Sequence, residues 1–323
     1  MIVEIIFLIL GFILLIKGAD FLVDGACDIA KKFKIPELVI AMTIVSIGTS
    51  LPELVVSLQS ALEGHSDLAI GNIIGSNISN LFLILGTCAI IRPLVYKKQT
   101  KFIENPINLF ITLVFLILAN GLIDNNMIAR VEGYILILGA FMFTAYNLYM
   151  AKNANSIAKE TMPKSGVFEK KKINVKKCIL MIVGGIFLLK IGGDLIVDNC
   201  IIIAKQLGLS EKLIGLTIVS LSTSLPELLT SVTAAIKGET DMAIGNILGS
   251  QIFNICLIIG LSSAIYPINY SLNYNNDLLL LLFGTFFMCL NPFFGKKDTM
   301  TRRNGIVFVL VYAFYIIITI VNA

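Results

Sequence analysis

Long apolar runs separated by short polar connections dominate the 323-residue chain. A helix needs about 20 predominantly apolar residues to cross the hydrocarbon core of a bilayer. Runs near this length lie at residues 2–23, 37–62, 67–91, 102–123, 131–150, 178–198, 213–236, 241–265, 278–294 and 305–321. This pattern predicts an all-α polytopic membrane protein with ten transmembrane helices.

The same pattern of residues occurs twice, at an offset of 174 positions and without a gap. Residues 43–62 are identical to residues 217–236 at 12 of 20 positions, and residues 67–86 match residues 241–260 at 13 of 20. Each half of the chain holds five predicted spans, and an odd number reverses the direction in which the second copy enters the membrane. We therefore expect two inverted five-helix repeats, an arrangement typical of secondary transporters.

Composition and charge agree with a membrane location and predict an orientation. The chain is 57% hydrophobic and only 14% charged, which is far too apolar for a soluble domain. If the amino terminus is outside, the inner connections hold 20 lysines and arginines and the outer connections hold three. By the positive-inside rule, both termini are predicted to be extracellular in a multi-pass protein of the plasma membrane. The predicted division is a first half at residues 1–151, a lysine-rich cytoplasmic linker at 152–177 and a second half at 178–323.

A few charges and all six cysteines fall in or near the predicted spans. Lys17 and Asp20 stand three residues apart, and Lys190 and Asp194 stand four apart, so each pair can lie on one helix face and neutralise itself. The cysteines show neither metal-ligand spacing nor a disulfide framework, and packing is their expected role.

The repeat carries a carboxylate directly after a proline in each copy. Pro52 and Pro226 lack a backbone N–H, so each is predicted to break its helix, the second and the seventh, at membrane depth. Glu53 and Glu227 follow at mid-span, where an unpaired carboxylate costs at least about 2.5–3.5 kcal/mol. No lysine or arginine lies in either apolar run. A cation from solution is therefore the predicted partner of the two glutamates.

Oxygen atoms surround the two glutamates in the sequence. The hydroxyl and amide side chains on the broken helices and on the helices that follow them are Thr49, Ser50, Asn72, Ser76, Asn80, Thr223, Ser224, Asn246, Ser250 and Asn254. Ca²⁺ prefers 6–8 oxygen ligands, whereas zinc and copper sites recruit histidine or cysteine. The same oxygens can hold Na⁺. Two ions that compete for one pair of carboxylates must occupy the site in turn, which is how exchange arises.

Two motifs resemble a known family. Residues 48–53 and 223–227 are each followed by Gly-Asn-x-x-Gly-Ser, at 71–76 and 245–250, and together they resemble the two alpha-repeats of the sodium/calcium exchangers in the calcium:cation antiporter superfamily. The resemblance implies that Glu53 and Glu227 bind Ca²⁺ and share in Na⁺ binding. It further implies that these sites are completed by Thr49, Ser50, Ser76, Asn80, Thr223, Ser224, Ser250 and the carbonyls of Ser46 and Ser220.

The expected function is antiport of Na⁺ and Ca²⁺ across a prokaryotic plasma membrane by alternating access. Many relatives carry aspartate where this chain has Asn254, which disfavours the potassium-dependent branch, and Ser222 replaces a glycine that usually precedes Thr-Ser. The proton/calcium branch shows Gly-Asn-Ala-x-Glu in place of Thr-Ser-Leu-Pro-Glu and fits less well. H⁺/Ca²⁺ and K⁺-dependent Na⁺/Ca²⁺ antiport remain the alternatives.

Two other classes fit the sequence poorly. A cation channel generally builds its filter from several subunits or rings, whereas here one chain carries both halves. An intramembrane enzyme would need a catalytic motif, and the chain has neither Gly-x-Ser-x-Gly nor His-Glu-x-x-His. We expect a transporter rather than an enzyme, with Na⁺ and Ca²⁺ as substrates, the lipid bilayer as its surroundings, and no cofactor or nucleic acid.

Overall fold

The computed structural model describes residues 2–121, 126–161, 173–206, 220–294 and 298–322, and the fold is predominantly helical. The helices are α1 (Ile2–Phe33), α2 (Glu37–Thr49), α3 (Leu51–Leu62), α4 (Ser66–Ile91), α5 (Thr100–Ala119), α6 (Arg130–Thr161), α7 (Val175–Gln206), α8 (Ser220–Thr223), α9 (Leu225–Lys237), α10 (Thr240–Ile265), α11 (Tyr274–Leu290) and α12 (Arg302–Asn322). A single 3₁₀ turn, Asn291–Phe293, extends α11.

The described helices account for nine of the predicted spans. Eight are long and apolar enough to cross a membrane, and α2 with α3 forms a bent ninth. The predicted run at 213–236 begins outside the described residues, which resume at Ser220. The fold is therefore that of a polytopic membrane protein, and the count of ten spans stays a prediction.

The bend between α2 and α3 follows from the local sequence. The two helices meet at 49°, and Ser50 between them has φ −84° and ψ 9°, outside the helical range. Pro52 lies in the first turn of α3, a position that a proline tolerates because its missing N–H has no helical partner there. The junction of α8 and α9 repeats this geometry, with φ −85° and ψ 3° at Ser224.

Helices α4 and α10 form the centre of the bundle. The most apolar window of α10 is 94% buried and that of α4 is 78% buried, against 11% for α12. Both central helices change to π-helical winding, over Ser79–Ile84 and Asn254–Ile259 respectively. The two segments lie at nearly equivalent positions of the repeat. Because π-helical segments are frequent at functional sites, they mark this part of the two central helices as a candidate site.

Helices α1 and α7 cross antiparallel in backbone contact. A Cβ atom at Gly18 would lie 2.9 Å from the Gly185 carbonyl oxygen, and one at Gly192 would lie 2.7 Å from the Gly11 carbonyl oxygen. Small residues allow this close approach. Each helix has 32 residues, so the predicted limits at 2–23 and 178–198 were wrong. Packing of one helix on the other continues beyond the apolar run that defined those limits.

Two short antiparallel sheets join the halves and were not expected in an all-α protein. Strand β1 (Leu94–Val95) pairs with β4 (Thr299–Met300), and β2 (Met127–Ile128) pairs with β3 (Ile268–Asn269). Two residues are too few for an alternating pattern to be recognised in the sequence. Each sheet combines one strand from each half of the chain.

Charged residues of α1 and α7 differ in their partners. Lys190 and Asp194 form the expected pair within α7, at 2.7 Å. Asp20 instead pairs with Lys237 of α9, at 2.9 Å, and Lys237 also lies 2.7 Å from Asp24. The local pairing expected for Asp20 was wrong, because a lysine from another helix lies within reach.

Candidate ion-binding site

The two glutamates of the repeat lie at the breaks and are completely buried. Glu53 is in the first turn of α3 and Glu227 in the first turn of α9, and both are 0% exposed. The first turn of a helix favours a negative charge, because backbone N–H groups without helical partners point toward it. The sequence thus places each carboxylate where a half-helix begins inside the bundle.

Each glutamate is held by a serine of the other half. Ser50 Oγ donates to Glu227 Oε1 at 2.8 Å, and Ser224 Oγ lies 3.4 Å from Glu53 Oε1. Ser76 Oγ of α4 lies 3.4 Å from the same Glu53 oxygen and 3.1 Å from Ser224 Oγ. These crossed hydrogen bonds bring the two proline-containing breaks together.

The breaks are tied to the central helices by a second reciprocal pair. Thr49 Oγ1 donates to Asn246 Oδ1 of α10, and Thr223 Oγ1 donates to Asn72 Oδ1 of α4, both at 3.2 Å. The two contacts are related by the 174-residue offset. The four side chains of these two contacts, all among the oxygen-bearing side chains expected around the glutamates, therefore link the break of each half to the central helix of the other half.

Two serines that sequence reasoning missed support these contacts. Asn72 Nδ2 donates to Ser57 Oγ and Asn246 Nδ2 donates to Ser231 Oγ, both at 3.0 Å. Ser57 and Ser231 are four residues after Glu53 and Glu227, hence on the same helix faces. That spacing was the available signal, and the two serines orient the asparagines that bind the threonines.

Both glutamates and three polar residues of the central helices α4 and α10 have buried side-chain atoms with no hydrogen-bond partner among the described residues. These atoms are Oε2 of Glu53 and Glu227, Oγ of Ser250, Oδ1 and Nδ2 of Asn80, and Oδ1 of Asn254. Leaving a buried polar group unpaired costs about 1–3 kcal/mol, and more when it is charged. Within the described part of the chain, neither glutamate forms an ion pair with a lysine or arginine. This oxygen-lined set, which we call the cage, is suited to a cation.

Five predicted ligands form none of the described hydrogen bonds that join the two breaks to each other and to the central helices. Asn80 and Ser250 have no side-chain partner among the described residues, and the Asn254 side chain bonds only to Asn77. The Ser46 carbonyl accepts from the Ser50 N–H at 3.0 Å and lies 3.3 Å from Thr49 Oγ1, while Ser46 Oγ lies 3.3 Å from the Thr43 carbonyl. Ser220 begins α8, and its side chain and residues 207–219 lie outside the described part. The ligand role of all five stays a prediction.

A second group of metal-ligating side chains lies away from the cage. Cys27, Glu37 and Glu239 place one ligand atom each within 4.8 Å of one another. Lys31 Nζ lies 3.6 Å from Glu37 and 3.2 Å from Glu239, so its ammonium already supplies a counter-charge. All six cysteines are free thiols.

A bundle of membrane-spanning helices around buried carboxylates and neutral oxygens defines a membrane transporter of hard cations. The family model described as sodium/calcium exchanger protein matches residues 3–149 and 177–321. The chain belongs to the sodium/calcium exchanger family, whose members are antiporters, and the resemblance seen in the repeats is confirmed.

Named relatives match along most of their length. The inner membrane protein YrbG of Escherichia coli strain K12 is 34% identical, with 84% of this chain and 85% of YrbG covered. The sodium/calcium exchanger MaX1 of Methanosarcina acetivorans is 32% identical, with 98% of each chain covered. The structure of the sodium-calcium exchanger NCX_Mj, soaked with Na⁺ and Ca²⁺, has a TM-score of 0.82 and 29% identity, and 98% of each chain is covered. Cation exchange involving Ca²⁺ is therefore the activity class of this protein.

Proposed function

We propose that this protein is a secondary antiporter that exchanges Na⁺ for Ca²⁺ across the plasma membrane of a prokaryote by alternating access. The observation that carries the proposal is the pair of Oε2 atoms of Glu53 and Glu227. Both are buried, and neither has a partner among the described residues. Two carboxylates beside several neutral oxygens match the charge of one Ca²⁺ and its preference for 6–8 oxygen ligands.

Exchange follows from competition for the same atoms. When Ca²⁺ is bound, both carboxylates are neutralised, and Na⁺ cannot use them at the same time. When Na⁺ is bound, the hydroxyl and amide oxygens around Ser76, Ser250, Asn80 and Asn254 provide further places for monovalent ions. Each ion therefore leaves before the other binds, and a gradient of Na⁺ can drive Ca²⁺ in the opposite direction.

The proposed architecture is two inverted five-helix repeats with broken second and seventh spans. It is supported by the antiparallel crossing of α1 and α7, by the reciprocal hydrogen bonds across the cage and by the two sheets that each combine both halves. We further propose that α1 and α7 slide past the remaining helices to expose the cage to either side. Because the backbones of α1 and α7 are in contact along their glycines, we expect the two helices to move as one unit.

The test is uptake of radioactive Ca²⁺ into vesicles that contain the purified protein and are loaded with Na⁺. We expect saturable uptake that requires the outward Na⁺ gradient. A choline-loaded vesicle is the control and should take up no Ca²⁺.

Three results would replace this proposal by an alternative. Uptake that needs a pH gradient and no Na⁺ would assign the protein to H⁺/Ca²⁺ exchange. A requirement for K⁺ together with Na⁺ would indicate K⁺-dependent exchange. Single-channel currents without counter-transport would indicate a channel.

A further inference from the structure

A row of buried side-chain amides ends at Asn254 of the cage. It consists of Asn77 on α4, Asn108 on α5, and Gln251 and Asn254 on α10, each exposed by no more than 1%. A carboxamide donates from its nitrogen and accepts at its oxygen. The orientation of one amide in the row therefore decides what the next one must present.

Backbone carbonyls fix the orientation of two of these amides. Asn77 Nδ2 donates to the Gln251 carbonyl at 3.3 Å, and Gln251 Nε2 donates to the Asn77 carbonyl at 3.2 Å. A carbonyl oxygen accepts and never donates, so the nitrogen end of each side chain must face it. The side-chain oxygens of Asn77 and Gln251 are consequently available to other donors.

The two oxygens accept from different partners, although the positions are related by the repeat. Asn77 Oδ1 accepts from Asn254 Nδ2 at 3.0 Å, whereas Gln251 Oε1 accepts from Asn108 Nδ2 at 2.5 Å. The repeat would pair Gln251 with Asn80, the equivalent of Asn254. Glutamine is one methylene longer than asparagine, and here its oxygen meets α5 instead. Asn80 has no partner at either end of its amide among the described residues.

The contact with Asn77 determines which end of Asn254 is free. Because its nitrogen is held, Asn254 Oδ1 points away from Asn77 and is buried without a partner in the described part of the chain. The segment Asn254–Ile259 packs against α3, the helix that carries Glu53. We propose that Asn77 is a positioning residue that holds Asn254 with its oxygen available to the transported cation. Asn80, the counterpart of Asn254 in the other half, has no such support among the described residues.

This inference rests on the proposed function, and Ca²⁺ binding by the purified full-length protein in detergent tests it. The variants are Asn77→Leu, Asn254→Leu and the double substitution, with Asn108→Leu as the matched control for loss of a buried amide. We expect Asn77→Leu and Asn254→Leu each to weaken Ca²⁺ binding about tenfold, as is common for residues that orient metal ligands. The double variant should bind Ca²⁺ no more weakly than Asn254→Leu alone, because each single change already removes the same oriented oxygen. Asn108→Leu should lower the melting temperature and leave Ca²⁺ affinity within about twofold.

The conservative variant Asn77→Asp keeps the test informative if Asn77→Leu does not fold. Aspartate retains the oxygen that accepts from Asn254 but turns its second oxygen toward the Gln251 carbonyl in place of the donor. The melting temperature should therefore fall, while the folded protein binds Ca²⁺ at least as tightly as the wild type. The inference would be overturned by unchanged Ca²⁺ affinity in Asn77→Leu or by additive losses of affinity in the double variant. It would also be overturned by an equal loss in Asn108→Leu or by weak Ca²⁺ binding in Asn77→Asp. Absence of Ca²⁺ binding by the wild type would instead overturn the proposed function itself.

Discussion

At the scale of single residues, the buried glutamates determine what the site can do. A carboxylate at the bilayer centre costs at least about 2.5–3.5 kcal/mol, and a hydrogen bond to a charged group returns about 1.5–3 kcal/mol. The bonds from Ser50, Ser76 and Ser224 reach one oxygen of each carboxylate, and the other oxygen has no partner among the described residues. The serines therefore hold the glutamates in place and leave one oxygen of each for an ion.

Removing the charge of either glutamate should stop exchange without unfolding the protein. For Glu53→Gln and Glu227→Gln we expect Na⁺-driven Ca²⁺ uptake to fall at least about 100-fold, since each change removes a charged ligand. The melting temperature in detergent should not fall, because the buried charge is also removed.

Glu104→Gln is the matched control for these two variants. Glu104 is also 0% exposed and also has an unpartnered Oε2 within the described residues, but it lies on α5 and its other oxygen is 3.4 Å from the Tyr146 hydroxyl. Uptake by this variant should match the wild type. Normal uptake by Glu53→Gln or Glu227→Gln would contradict the assignment of the cage.

The sequence was sufficient to predict the types of side chain in the cage but not their pairing. Proline, glutamate and hydroxyl residues in duplicate indicated an oxygen site. That Thr49 would bind Asn246, and Ser50 would bind Glu227, depends on how two segments nearly 200 residues apart meet in space. Such partners are set by tertiary packing, and no local pattern encodes them.

At the scale of elements, glycines on both helices allow the backbones of α1 and α7 to come into contact where the helices cross. A Cβ atom at Gly185 would lie 2.7 Å from the Leu22 nitrogen and 2.8 Å from the Gly18 carbonyl oxygen. Backbone atoms cannot turn aside as a side chain can. Any larger residue at this position must therefore push the two helices apart.

Neighbouring glycines provide a matched test of this crossing. Gly185→Leu should cost about 1–3 kcal/mol through overpacking and should abolish uptake if α1 and α7 move together. Gly184→Leu should be tolerated, because a Cβ atom there meets nothing within 4 Å. The measurements are the melting temperature and Na⁺-driven uptake. Equal effects of the two substitutions would contradict the proposed contact.

The positions of the helices were predictable from the sequence, and their full lengths were not. The thickness of the bilayer fixes a minimum length of apolar sequence, so the centres of the spans stand out. It does not fix where a helix ends when its polar continuation packs on another helix, as happens from Asp24 to Phe33 in α1. The two-residue strands escape prediction because their pairing lies between distant connections.

At the scale of the whole molecule, several contacts between the two halves occur in equivalent pairs. The bond from Thr49 to Asn246 has its counterpart from Thr223 to Asn72, and each sheet takes one strand from each half. If the repeats are inverted, the cage is equally distant from both sides of the membrane. Alternating access then requires two similar conformations rather than two different mechanisms.

The predicted orientation can be tested in cells. Alkaline phosphatase fused after residue 323 should be active, because that enzyme folds outside the cytoplasm, and an epitope inserted at residues 162–172 should be reached by antibody only after permeabilisation. The physical reason is the excess of lysine and arginine in the predicted inner connections. An inactive carboxy-terminal fusion or an epitope exposed on intact cells would contradict the orientation.

Ion density in crystals soaked first in Ca²⁺ and then in Na⁺ tests most directly whether the two glutamates share one ion. We predict one strong peak that contacts both Glu53 and Glu227 at about 2.3–2.6 Å in Ca²⁺. In Na⁺ this peak should be replaced by weaker ones at the surrounding hydroxyl and amide oxygens. A Ca²⁺ peak that touches neither carboxylate, or Ca²⁺ that persists there beside bound Na⁺, would contradict this prediction.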